Sequence, residues 1–124
     1  MHLIIGGAYM GKLDFAMETY GLRAEDISDC REGEPDFARK CVYHLEDFTL
    51  ECVRREEDPV VWFRENKDNW QDCVLICADI SGGIVPMNKE DRRWREKTGH
   101  LCQYLSKEAD RVSRIFCGLE LRLK

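Results

Sequence analysis

Residues 2–21, HLIIGGAYMGKLDFAMETYG, decide the fold that the sequence predicts. The apolar run at 2–5 favours a buried strand, and it stops at a pair of glycines. Apolar residues then recur at helical spacing from Leu13 to Tyr20, and Gly21 is a natural helix terminator. The segment therefore predicts a strand, a glycine-bearing turn and a helix, in that order.

The turn between this strand and this helix fits the pattern G-x-x-x-x-G-K of a phosphate-binding loop, or P-loop. Glycines let the backbone curl so that N–H groups point at phosphate oxygens, and the helix N-terminus adds a partial positive charge. Lys12 would reach the outer phosphates of a nucleotide, which makes it a candidate catalytic residue. A glycine-rich turn without a ligand is the alternative. The candidate nucleotide-binding residues are Gly6, Gly7, Ala8, Tyr9, Met10, Gly11, Lys12 and Leu13.

Three positions bear on the metal ion that usually accompanies such a nucleotide. Leu13 stands where a Ser or Thr normally holds Mg²⁺. Asp79 follows an apolar strand and could hold Mg²⁺ through water, as a Walker-B acid does, which makes it a second candidate catalytic residue. Asp47 is a weaker metal candidate of the same kind. Either acid could instead be an ordinary turn or helix-capping residue.

The rest of the chain alternates strands and helices. Residues 22–40 are polar and predict a loop or short irregular helices, and the pattern at 48–57 does not decide between helix and strand. The other predicted elements are a strand at Cys41–Leu45 containing His44, a helix starting at Asp58–Pro59, a central parallel strand at Cys73–Ala78, a turn at Ser81–Gly83, a helix at Lys89–Ala109, and one or two strands around Gly118. This order predicts a single α/β domain over 1–124, a three-layer sandwich with a mostly parallel, four-stranded sheet, like a P-loop NTPase of reduced size.

Composition excludes several classes of protein. The net charge of −5 leaves no surplus of Lys and Arg for binding nucleic acid. No apolar run approaches the roughly 20 residues of a membrane span, and the amino end does not resemble a secretory signal. Seven cysteines without a CxxC pair are typical of reduced thiols that serve as small hydrophobic residues. We therefore expect a cytoplasmic protein.

The carboxyl-terminal half resembles a known family. It carries Ala78-Asp79-Ile80-Ser81-Gly82-Gly83-Ile84-Val85-Pro86, then Trp94-Arg95-Glu96-Lys97-Thr98-Gly99 with Gln103, and Ala109-Asp110-Arg111-Val112. These segments are similar to Asn-Glu-Val-Gly-x-Gly-Ile-Val-Pro, Phe-Arg-Asp-x-x-Gly-x-x-Asn-Gln and Ala-Asp-x-Val of the adenosylcobinamide kinase / adenosylcobinamide-phosphate guanylyltransferase family of cobalamin biosynthesis. The loop at 6–12 stands where that family has Gly-Gly-Ala-Arg-Ser-Gly-Lys-Ser. Residues 22–72 match poorly, so the chain resembles a shortened, divergent member.

The resemblance implies a kinase-type phosphotransferase that takes ATP or GTP with Mg²⁺ and phosphorylates a corrinoid alcohol. It also implies that guanylyl transfer is lost, because nothing here matches the family's Arg-Ile-x-x-His, whose histidine receives the guanylyl group. The alternative is a catalytically degenerate relative that acts as a nucleotide-binding or interaction subunit. Leu13 favours the degenerate relative, whereas Gly11 and Lys12 favour the kinase.

The predicted strand at the carboxyl end of the chain, after Gly118, indicates that copies of the protein associate. Leu119, Leu121 and Leu123 share one face of it, and an apolar edge strand left bare invites pairing. The resembled family also forms oligomers, so we expect a homo-oligomer. The alternative is that the long helix covers these leucines within one monomer.

Overall fold

Six strands form one sheet in the computed structural model, which describes residues 1–80 and 88–124. The strands are β1 (His2–Gly6), β2 (Ile27–Asp29), β3 (Cys41–Tyr43), β4 (Val74–Ala78), β5 (Arg111–Phe116) and β6 (Leu119–Arg122). The helices are α1 (Lys12–Tyr20), α2 (Leu45–Arg54), α3 (Pro59–Glu65), α4 (Lys67–Trp70) and α5 (Lys89–Glu108), with a 3₁₀ turn at Ala24–Asp26. The predicted turn at Ser81–Gly83 lies outside the described residues.

The order of the sheet is β2-β3-β4-β1-β5-β6. The first five strands run parallel, and β6 returns antiparallel to β5 as a hairpin. β4 lies between β3 and β1 and is buried almost throughout, as its continuous apolar run predicts. The carboxyl ends of β3, β4 and β1 therefore meet at one edge, where parallel α/β sheets bind their ligands.

Helices cover both faces of the sheet, which confirms the predicted three-layer α/β sandwich. Strand residues Leu3 and Leu75 pack with α2, α3 and α5 in one apolar cluster, whereas their neighbours Ile4 and Ile76 pack with α1 in another. Successive residues of a strand point to opposite faces, so the two clusters are the two sides of the sheet. Five of the seven cysteines are buried, in agreement with their predicted role as small hydrophobic residues.

Several local predictions are confirmed. α1 ends at Gly21, whose φ of 61° is the left-handed cap that glycine favours. α3 begins after Asp58, whose Oδ1 accepts a hydrogen bond of 2.9 Å from the Val60 N–H. The long helix α5 also lies where it is predicted, and the one or two strands predicted around Gly118 are the two strands of a hairpin, β5 and β6. These elements depend on caps and turn residues within their own segments.

Two predictions about the middle of the chain are wrong. The predicted four-stranded sheet has six strands among the described residues, and one of them, β2, comes from a segment predicted as loop or irregular helix. The predicted strand at Cys41–Leu45 ends at Tyr43, because Leu45 begins α2. Leu45, Phe48 and Cys52 are buried and recur at helical spacing, so one face of α2 lies in the core. The pair Glu46–Asp47 therefore lies in the first turn of a helix.

The face of the hairpin that α5 could have covered is exposed. Leu119, Leu121 and Leu123 are 73%, 57% and 55% exposed, and Phe116 beside them is 63% exposed. The alternative in which the long helix covers these leucines is therefore wrong for the single chain. No helix within residues 1–80 and 88–124 has the length and apolar character to cross a bilayer.

Candidate functional site

A cleft of about 530 Å³ opens at the carboxyl edge of the sheet. One wall is the turn after β1 together with the first residues of α1. The other wall comes from the ends of β2 and β3 and the start of α2, and β4 closes the floor at Ala78. The lining residues are Ala8, Tyr9, Gly11, Lys12, Leu13, Asp14, Arg31, Tyr43, His44, Glu46 and Ala78. Five of the eight predicted nucleotide-binding residues are among them.

The turn at 7–11 leads directly into the N-terminus of α1. Gly11 stands before the helix with a φ of 93°, and no side chain caps the helix. The first N–H groups of a helix have no partner within it, so this end of α1 is suited to an anion. Gly6 allows β1 to approach β5 closely, because a Cβ there would lie 2.6 Å from the Ile115 carbonyl oxygen.

The hairpin turn supports the loop from behind. The Gly118 N–H donates a hydrogen bond of 2.8 Å to the Met10 carbonyl. A Cβ on Gly11 would lie 3.3 Å from the Gly118 Cα, so the two turns are in close contact. The position of the loop therefore depends on a segment more than 100 residues away in the chain.

Lys12 folds back inside the loop. Its side chain is buried, and Nζ donates a hydrogen bond of 2.7 Å to the Gly7 carbonyl. Burial lowers the pKa of Lys12, and the nearby carboxylate of Glu46 opposes that change. Glu46 Oε1 in turn accepts a hydrogen bond of 3.0 Å from the Ala78 N–H. The ammonium is thus held at the mouth of the loop with a buried countercharge beside it.

The predicted metal candidates occupy different places. Leu13 packs against the apolar cluster on the α1 side and supplies no oxygen to the cleft. Asp79 is exposed directly after β4, and its N–H donates a hydrogen bond of 2.7 Å to the Gly6 carbonyl, so it lies next to the start of the loop. Asp47 lines a neighbouring cavity of about 400 Å³ with Phe48. The structure brings Asp79 close to the loop and does not bring Asp47 into the cleft.

A second polar cluster lies at the ends of β2 and β3 and contributes Arg31, Tyr43 and His44 to the lining of the cleft. His44 Nδ1 lies 2.8 Å from Asp29 Oδ1, and Arg31 forms an ion pair of 3.0 Å with Oδ2 of the same carboxylate. The Tyr43 ring stacks on the His44 imidazole with centroids 3.6 Å apart. Burial by itself would raise the pKa of Asp29, but hydrogen bonds from Arg31 and His44 outweigh it and lower the pKa.

Sequence reasoning missed this second cluster. Asp29 lies in β2, which was not predicted, and His44 was placed inside a strand rather than at its end. The role of Glu46 as the neighbour of Lys12 was missed as well. The members of each pair are far apart in the chain, so no spacing pattern in the sequence links them. One sequence feature could have located them: a polar residue at the end of a strand is expected at the carboxyl edge of a parallel sheet, where ligands bind.

The chain matches a family model in the comparison with known proteins. The family model described as cobinamide kinase / cobinamide phosphate guanyltransferase matches residues 39–123. A search of curated proteins finds no match. The matched range includes β3, β4, α5 and the hairpin but begins after the loop at 6–13. Because it covers more than half of the chain, the protein belongs to the cobinamide kinase / cobinamide phosphate guanyltransferase family.

Proposed function

We propose that this protein binds ATP or GTP at the loop Gly6–Leu13 and transfers the γ-phosphoryl group to an alcohol of a corrinoid. The observation that carries the proposal is the buried Lys12 ammonium, held against the Gly7 carbonyl at the N-terminus of α1. Family membership supports the nature of the reaction and of the acceptor. The acidic surface of the chain argues against a nucleic-acid substrate.

Each part of the loop has a role in this proposal. The N–H groups at 7–13 and the start of α1 surround the phosphates, and Lys12 moves from the Gly7 carbonyl to the outer phosphate oxygens. Burial lowers the pKa of Lys12, and the carboxylate of Glu46 opposes that change, so Glu46 favours the charged form of Lys12 that would bind phosphate. Phosphoryl transfer depends mainly on such positioning and charge neutralisation.

The residues of the cleft fit Mg²⁺ that is bound mainly by the nucleotide. Mg²⁺ keeps several waters and takes one or two carboxylates plus substrate phosphates. Asp79, beside the start of the loop, is the carboxylate that we propose to contact such an ion through water. Leu13 removes the usual protein hydroxyl, so the dependence of binding on Mg²⁺ is weaker than in an intact loop.

A degenerate, non-catalytic relative is the second candidate, and Leu13 is the observation that favours it. In that case the chain binds nucleotide without transferring phosphate. We propose that guanylyl transfer through a histidine is lost in both cases, because no segment matches Arg-Ile-x-x-His. Incubation with α-labelled GTP should therefore leave the protein unlabelled.

We further propose that two or more copies associate through the exposed face of the hairpin. Phe116, Leu119, Leu121 and Leu123 form this hairpin face, and all four side chains are more than half exposed. An apolar face beside an edge strand gains stability when a second copy covers it. The turn of the same hairpin contacts the nucleotide loop at Met10, so the interface would adjoin the site.

Calorimetric titration of the Lys12→Ala variant tests nucleotide binding. Hydrogen bonds to charged groups contribute about 1.5–3 kcal/mol, so triphosphate affinity should fall about tenfold to a hundredfold, with a much smaller effect on AMP or GMP. Lys107→Ala, at an exposed position of α5, is the matched control and should bind like the wild type. Equal triphosphate affinity for Lys12→Ala and the wild type would contradict the proposal. Transfer to cobinamide, measured with the wild type, separates the kinase from the degenerate relative.

A further inference from the structure

His44 borders the side of the cleft that faces the phosphate loop. β3 and β1, which lead to His44 and to the loop, are separated in the sheet by β4 alone. Neighbouring strands lie about 4.8 Å apart, so the two strand ends are about 10 Å from each other. The cleft that His44 and the loop both line has a volume of about 530 Å³, which is room for a phosphoryl group and an attacking alcohol whose reacting atoms lie about 3–3.5 Å apart.

The backbone at His44 adopts an unusual conformation. Its φ of 60° and ψ of 49° are left-handed, which costs a non-glycine residue about 1–2 kcal/mol. The residue precedes α2, where a side chain such as Ser or Asp usually caps the helix, yet His44 makes no capping bond. Strain of this kind is concentrated at functional sites. The conformation directs the imidazole to Asp29 and Tyr43 instead.

The partners of the imidazole determine where its proton lies. The pKa of Asp29 is lowered, so its carboxylate is ionised and only accepts hydrogen bonds. The His44 Nδ1–H therefore donates to Asp29 Oδ1 at 2.8 Å, so in the neutral imidazole the lone pair is on Nε2. Arg31 holds the same carboxylate in place from the other oxygen. An imidazole oriented by a carboxylate in this way can accept a proton at Nε2.

We propose that His44 is the general base that deprotonates the acceptor alcohol, an inference that rests on the proposed phosphoryl transfer. The alcohol proton moves to Nε2 as the alcohol oxygen forms a bond to the γ-phosphorus. The bond from the γ-phosphorus to the β,γ-bridging oxygen breaks, and its electron pair leaves with the nucleoside diphosphate. His44 then releases the proton to solvent. Asp29 is a positioning residue that keeps the proton on Nδ1.

The ionisable groups around His44 come from four elements. They are Asp29 and Arg31 at the end of β2, Tyr43 on β3, Glu46 on α2, and Lys12 and Asp14 on α1. Asp47, in the same first turn of α2, faces the neighbouring cavity. If His44 is the base, the rate of transfer falls at low pH because protonated His44 cannot accept the alcohol proton. A His44 variant should lack this fall, whereas replacing a purely structural histidine would not remove it.

The test is the steady-state rate of phosphoryl transfer to cobinamide, measured with ATP and with GTP for His44→Gln and for the wild type. General bases contribute about a hundredfold to ten-thousandfold, so kcat should fall by that factor while the calorimetric affinity for nucleotide stays unchanged. The acid limb of the pH profile should disappear in His44→Gln and shift in Asp29→Asn. His100→Gln, at an exposed position of α5, is the matched control and should behave like the wild type.

The outcomes separate this inference from the proposed function. Absence of nucleotide binding by the wild type overturns the proposed function. Normal kcat in His44→Gln overturns the base assignment alone. Wild-type binding of nucleotide without transfer overturns both the base assignment and the proposed phosphoryl transfer, and it leaves the non-catalytic relative. Label from α-labelled GTP on His44 would make it a nucleophile and also overturn it. Ring ¹⁵N NMR of the wild type identifies the tautomer of His44 and does not depend on the folding of a variant. A neutral imidazole with its proton on Nδ1 supports the assignment, and one with its proton on Nε2 overturns it.

Discussion

A buried histidine at the start of β1 should make stability depend on pH. His2 Nδ1 lies 2.6 Å from the Tyr20 hydroxyl and Nε2 lies 2.7 Å from Ser113 Oγ. Ser113 Oγ also hydrogen-bonds Oε2 of Glu120, and Arg111 Nη2 donates to both oxygens of the same carboxylate. Because Ser113 donates to the carboxylate, it accepts from the His2 Nε2–H, and Tyr20 donates to Nδ1. The network joins β1, β5, β6 and α1, and it requires a neutral imidazole.

The structure gives the size and sign of the effect. Burial, followed by the positive charge of Arg111, lowers the pKa of His2 from 6.5 to about 4. The unfolded chain therefore binds a proton between these pH values that the folded chain does not. Stability is fully present above pH 6.5 and falls as the pH drops towards 4. Each unit of difference between the two pKa values corresponds to about 1.4 kcal/mol, so the free energy of unfolding should fall by about 3 kcal/mol.

Urea unfolding at intervals from pH 7.5 to 4.5 measures this loss. The free energy of unfolding of the wild type should fall by about 2–3 kcal/mol over this range, and His2→Gln should be flat by comparison. Carboxylates with lowered pKa, such as Asp110 and Glu120, lose their contribution only below about pH 4.5. His100→Gln, on the exposed side of α5, should keep the wild-type slope. The reasoning is refuted if His2→Gln keeps it too.

Three further changes test the loop and the hairpin face. Leu13→Ser should increase the dependence of nucleotide binding on Mg²⁺, compared by calorimetry with and without the ion; an unchanged dependence would show that Leu13 is not the missing ligand position. Gly6→Ala places a Cβ 2.6 Å from the Ile115 carbonyl oxygen, so urea unfolding should show a loss of about 1–3 kcal/mol, whereas Gly33→Ala, which meets nothing within 4 Å, should not. Leu121→Lys should reduce the mass in light scattering from a multiple of 14.6 kDa to that value, and a wild type that already has the monomer mass would contradict the interface.

The sequence alone predicted the elements whose signals are local. The strand–turn–helix unit follows from the apolar run, the glycines and the cap at Gly21. The start of α3 follows from Asp58, whose carboxylate satisfies an N–H two residues away. β4 was predicted to be central because it is apolar on both faces. For the turn, the helix cap and the start of α3, the deciding interaction lies within a few residues of the chain. For β4 the local pattern shows burial on both faces, and only a strand inside the sheet meets that requirement.

The tertiary structure alone decided which polar groups meet. Pairing between β2 and β3 brings Asp29 to His44, 15 residues away, although the three residues of β2 show no strand pattern of their own. The helical start at Leu45 brings Glu46, rather than Asp47, beside Lys12, because successive residues on a helix point in different directions. The turn at Gly118 fixes the loop at Met10 through a hydrogen bond across the molecule. Such contacts depend on strand order and register, which long-range packing sets and short-range propensity does not encode.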